Sequence, residues 1–283
     1  MIQIKDETFS VDEIYKYTLC FKISKQEIEI GVFDAVQGKY LVYESYAVGS
    51  DIDEIGLLEQ IYKEHFFIAA GYWKKIVLVS TLAKFSYVPE EFFSPQNAID
   101  LLRMNVEIDA DKLDICYSTH AKQGITCIFA VEKYLLRWVK SKYPYQEISY
   151  LHENSCILEG LLTFDKSLES RDLNLFVQSD TLTLVAFKHG HLQYLNTFSH
   201  HNSQDFIYYV LLAIEKMGCQ RQEANIVMYG NISDNSSYVK ELRKYINSVK
   251  TGSRPQGITF GYKFDELQPH SAFDMFSVPI AIK

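Results

Sequence analysis

Residues 173–218, LNLFVQSDTLTLVAFKHGHLQYLNTFSHHNSQDFIYYVLLAIEKMG, decide how the whole chain is read. Leu173, Leu175 and Val177 alternate with their neighbours, and Leu182 and Leu184 resume the alternation after the turn Gln178-Ser179-Asp180. That is the period of a hairpin with one face in a core. A second turn, Lys188-His189-Gly190, leads into a third strand through Leu192, Tyr194, Asn196 and Phe198. Asn202 or Ser203 then stands where a helix N-cap belongs, and the helix dipole favours Asp205 in the first turn. Phe206, Ile207, Val210, Leu211, Ile214 and Met217 share one helical face, and Gly218 ends it.

The same outline occurs earlier, in LCFKISKQEIEIGVFDAVQGKYLVYESYAV (19–48). Leu19, Phe21 and Ile23 alternate, Ser24 to Glu27 turn, and Ile28, Ile30 and Val32 resume. Gly38 precedes a third strand as Gly190 does later. Ser50 is the expected cap of the next helix, with Asp53 in the capping-box position and Ile52, Ile55, Leu58 and Ile61 as the buried stripe. Each helix leads to a short apolar segment, KKIVLVS (74–80) and ANIVMYG (224–230), the mark of a strand covered on both faces. Leu19, Ile23, Ile28 and Ile30 lie 154 positions before Leu173, Val177, Leu182 and Leu184. Two β-β-β-α-β units facing each other across a cleft are the skeleton of the duplicated actin-like, ribonuclease-H-like α/β fold.

Between the copies, LDICYSTHA (113–121) and ITCIFAV (125–131) read as strands, and EKYLLRWVKSKYP as a helix stopped by Pro144. EISYLHE and SCILEGLLTF follow as a strand and a helix crossing into the second domain. The predicted division is 1–168, carrying an inserted α/β segment at about 85–168, and 169–283, with the join in the charged DKSLESRD. The final PHSAFDMFSVPIAIK is apolar enough to pack back on either domain.

Composition narrows the function. With 283 residues, 47% of them apolar, the chain can build two cores, while a formal net charge of −8 repels nucleic acid and anionic membrane surfaces. Its longest apolar runs, such as VLLAI (210–214), fall far short of a membrane span. The N-terminus lacks the pattern of a signal peptide. Five cysteines, no two closer than eleven positions, fit reduced thiols in a cytoplasmic protein better than a disulfide frame or a C-x-x-C site. Thirteen glycines are few, and none of G-x-G-x-x-G, G-x-x-x-x-G-K-[ST] or G-x-S-x-G occurs, so glycine-dependent phosphate cradles and nucleophile elbows are not expected.

Asn196, Thr197 and Phe198 end a strand just before the helical Asp205, Tyr208 and Tyr209, and FSYVPEEFF contributes Val88, Pro89 and Phe92. Together these pieces resemble the domain of unknown function 3822 family of Bacteroidota, over nearly the whole chain. The resemblance implies an actin-like ATPase fold, more distantly similar to the actin-like scaffolds of type IV pili and type II secretion. In active members of that superfamily the first hairpin turn of each domain carries D-x-G, whose carboxylate organises magnesium and whose amides receive phosphate oxygens. Here those turns read ISKQE and VQSD, with Ser24 and Gln178 near the aspartate positions, Ser179 beside the latter, and glycine in neither. The adenosine-side signature is reduced to MYGNIS, so Gly230, Asn231 and Ser233 are the remaining candidates for a nucleoside. The competing account of that segment is a strand-to-helix turn with Ser233 or Asp234 as the next cap.

The remaining candidates have plainer explanations. His189, His191, His200 and His201 form the one histidine cluster, which lacks a spaced cysteine or carboxylate to complete a zinc site and reads as exposed turn histidines. His120 and Cys127 can be imagined as a thiol pair, but both fall on expected insert strands. Asp205, Tyr208 and Tyr209 invite an acid–base role, against which stand helix capping and packing. The expected first strands hold no carboxylate for a two-metal nuclease. Twenty Tyr and eighteen Phe leave room for an aromatic interaction surface, best placed at FSYVPEEFFSP (85–95), whose alternative is packing within its own domain. The expectation is a non-catalytic scaffold with no catalytic residue, no metal and no bound cofactor, an unknown protein partner and possible homo-oligomers. A nucleotide-binding switch is the alternative and a metal-dependent hydrolase the third.

Overall fold

The computed structural model describes residues 1–167, 172–233 and 235–282, with the side chains of 165–167 outside the description. Along the chain run β1 (Ile2–Lys5), β2 (Tyr17–Ile23), β3 (Glu27–Asp34), β4 (Lys39–Ala47), α1 (Glu54–Glu64) and β5 (Lys75–Ser80). Next come β6 (Phe85–Pro89), α2 (Ala98–Arg103), β7 (Leu113–His120), β8 (Ile125–Glu132), α3 (Lys133–Lys142), β9 (Glu147–His152) and α4 (Glu153–Leu161). The second half holds β10 (Asp172–Val177), β11 (Thr181–Lys188), β12 (His191–Ser199), α5 (Ser203–Lys216), β13 (Asn225–Gly230), α6 (Ser237–Leu242), β14 (Ser248–Thr251), β15 (Thr259–Phe260) and α7 (Phe273–Ala281).

Two compact units result. The first takes residues 1–156, 257–266 and 275–283, the second 157–256 and 267–274. The expected join at 168/169 lies outside the described residues; the units part within α4 instead. Residues 257–266 and 275–283, expected in a second domain of 169–283, fall in the first unit, and α7 is divided, with Phe273 and Asp274 in the second unit and its remainder in the first.

The main sheet of the first unit runs β1-β4-β3-β2-β5-β9, with β15 against β4, and the sheet of the second runs β12-β11-β10-β13-β14. The two share one plan: β2 and β10 pair antiparallel with the strand that follows and parallel with β5 and β13. Correspondence extends to register, since Ile23 faces Ile28 as Val177 faces Leu182, and a bulge falls at Val32/Phe33 and again at Ala186/Phe187. Period two on β2 is an alternation of side-chain type, not of burial: Leu19, Phe21 and Ile23 enter the core while Thr18, Cys20 and Lys22 are buried on the opposite face, and β5 and β13 are apolar on both faces. In the first unit Leu19, Phe21, Ile23, Leu58, Ile61, Leu135 and Val139 join one core. In the second, Leu173, Leu175, Leu182, Phe206, Val210 and Ile214 do the same. Full burial of each such side chain contributes about 1.5–3 kcal/mol.

The insert forms a third sheet, β6-β8-β7, in the first unit. FSYVP is therefore a strand, and most of the aromatic segment packs inward: Phe85 and Tyr87 lie against the main core, and Val88 and Phe93 against the insert's own. Phe92, 63% exposed, is the large apolar side chain that stays out. Caps also differ from expectation. Asp53, not Ser50, caps α1, its Oδ1 accepting from Gly56 N–H at 2.7 Å, because residues 50–52 turn before the helix begins. Ser236, not Ser233, caps α6 by accepting from Val239 N–H; Asp234 lies outside the described residues.

Candidate functional site

The hairpin loop of the first unit closes on Ser24. Ser24 N–H donates to Glu27 O at 2.9 Å, and the amides of Gln26 and Glu27 donate to Ser24 Oγ at 3.3 and 3.0 Å. Oγ itself donates to Glu27 O at 3.0 Å, and Val48 N–H, at the end of β4, donates to Gln26 O. The amides that would point at a phosphate oxygen thus have a hydroxyl of their own chain as acceptor, at the place where an aspartate–glycine turn would leave them free. This local serine turn follows from the side chain: a short hydroxyl bonds the backbone two and three residues on.

In the second unit the loop closes on Gln178, which occupies the position of Ser24 in the shared register. Gln178 N–H donates to Thr181 O at 2.9 Å, and Thr181 Oγ1 donates to Gln178 Oε1 at 3.2 Å. Asp180 O accepts from His200 N–H, and Ser179 is exposed at the loop tip. Gln178 is long enough to span its own loop.

Gly230 ends β13 with φ of 88°, and a Cβ there would lie 2.3 Å from Val177 O, so only glycine fits. Its amide is spent on His270 O at 2.8 Å, and the Asn231 amide on Val177 O at 2.9 Å. Buried His270 donates from Nε2 to Ile232 O at 2.8 Å, which seals the turn from the other side. The side chains of Asn231 and Ser233 remain exposed. Ser80 stands where Gly230 would be in the first unit, pairing with Ile23 as Gly230 pairs with Val177, and its Oγ donates to Ala130 O at 2.8 Å. Neither His270 nor Ser80 was singled out from the sequence; His270 meets its loop from 40 residues away, a contact with no local signal.

The strand-end and helix motifs serve architecture. Asn196 Oδ1 accepts from Thr197 N–H at 2.9 Å, and the Thr197 hydroxyl meets that of Thr183 at 2.8 Å. Phe198 stacks on Tyr209 with centroids 4.3 Å apart, joining strand to helix. Asn202 Oδ1 caps α5 by accepting from the amides of Gln204 and Asp205, while Asp205 accepts from His201 N–H. Tyr208 stays 61% exposed. Val88 packs in the insert core, and Pro89 closes β6 at the surface.

The histidines do not converge. His189 sits in its turn at φ 53°, and His191 and His201 are exposed. His200 corrects the expectation of exposure: it is 3% exposed, set edge-on between Phe206 and Tyr238. Among the described residues no group of three or more His, Cys, Asp or Glu is placed to hold a metal. His120 is paired with Ser155 rather than Cys127, its Nε2 3.1 Å from Ser155 Oγ, which in turn lies 2.9 Å from Ser118 Oγ. Burial pushes the Cys127 thiol up to about 12, away from thiolate chemistry.

A family model described as protein of unknown function (DUF3822) matches residues 6–249. No curated protein sequence matches the chain. Among solved structures, a Bacteroides thetaiotaomicron protein with actin-like ATPase fold and unknown function is similar with a TM-score of 0.81 at 18% identity, over 96% of this chain and 98% of that one. The PilM-PilN type IV pilus biogenesis complex follows with a TM-score of 0.60 at 11% identity, over 94% and 97%. These likenesses establish the actin-like ATPase fold. Among the described residues no helix is long and apolar enough to cross a membrane.

Proposed function

The chain belongs to the family of unknown function DUF3822, and we propose that it uses the actin-like fold as a non-catalytic scaffold for a protein partner in the cytoplasm, without turning over ATP. One observation carries this: both hairpin loops are filled by side chains of the chain itself, Ser24 Oγ in one unit and the Gln178 carboxamide in the other. Hydrolysis on this fold needs loop amides and a carboxylate directed at phosphate and magnesium, and Ser24 and Gln178 supply neither. The sealed turn at Gly230 supports the same conclusion on the nucleoside side. That PilM, of the same fold, has been solved with PilN supports a protein as the partner.

A phosphate-release assay with ATP and magnesium tests the proposal. The scaffold function predicts no release above a protein-free control. Turnover that disappears in a variant altered at Ser24 and Gln178 would overturn it and favour a nucleotide-driven switch.

A further inference from the structure

We draw no further inference here: the strongest candidate, the pocket between α1 and α3 of the first unit, walled by Ile55, Tyr134 and Trp138, sets the carboxylates of Asp53 and Glu54 beside the guanidinium of Arg137, so its charges select no class of partner and nothing in the structure shows what covers it.

Discussion

At Gly230 the backbone stands at φ 88° with Val177 O 2.3 Å from where a Cβ would go, so a side chain must move a main-chain carbonyl of the adjacent strand. Gly230→Ala should cost about 2–3 kcal/mol, through left-handed strain and the clash together. Gly218 has a similar φ of 65° with open space around it, and Gly218→Ala should cost only about 1 kcal/mol. Urea unfolding of the two variants checks the difference; equal losses would mean that the β13 turn relaxes freely. His152 provides a second test at this scale. Its Nε2 donates to Leu82 O at 2.8 Å and its Nδ1 accepts from Asn154 N–H, and burial holds its pKa down to about 4 against 6.5 for an ordinary histidine. Between those values the unfolded chain binds a proton that the folded chain refuses. Stability is therefore fully present above pH 6.5 and declines as pH falls toward 4, by about 3 kcal/mol over the window. His152→Gln should flatten that decline, measured by urea midpoints at pH 7 and 4.5; an unchanged slope would place the titration elsewhere.

Helix starts show what is decided at the scale of an element. Asp53→Ala should lose about 1 kcal/mol, because Asp53 Oδ1 holds the Gly56 amide, while Ser50→Ala should lose almost nothing, since Ser50 Oγ bonds only the Asp51 side chain. Thermal melts of both variants decide between them, and a larger loss at Ser50 would contradict the cap. Asp53 was visible in the sequence as part of a capping box, yet residues 50–52 turn first and shift the helix start by three positions, a choice that local pattern does not make. At Asn202 the two spellings of a cap, Asn202 and Ser203, were both open; the longer carboxamide reaches two amides. Strands were far more legible. Alternation of Leu173, Leu175 and Val177, echoed by Leu19, Phe21 and Ile23, located both hairpins, because large apolar side chains fill the core on one face while Thr18, Lys22 and Asn174, also buried, lie on the other. The paired bulges at Val32/Phe33 and Ala186/Phe187 were not legible, as neither carries a glycine or another compositional mark.

Over the whole molecule, the actin-like plan was recoverable from sequence because each unit repeats hairpin, strand, helix and parallel strand in the same order. What escaped was everything made by contacts distant in the chain. Residues 257–266 return to the first unit through β15 and a Tyr262–Glu7 hydrogen bond, while 267–274 stay with the second and bring His270 over Gly230. The candidate site was half legible: the lack of D-x-G turns was plain in ISKQE and VQSD, but that Ser24 and Gln178 fill those turns depends on side-chain geometry. The central claim is that Ser24 and Gln178, by bonding within their own turns, stand in place of the groups that would receive a nucleotide. Calorimetric titration of the full chain with ATP, with and without magnesium, tests it most directly. The account predicts no heat of binding at millimolar ATP in either condition; micromolar, magnesium-dependent binding would contradict it.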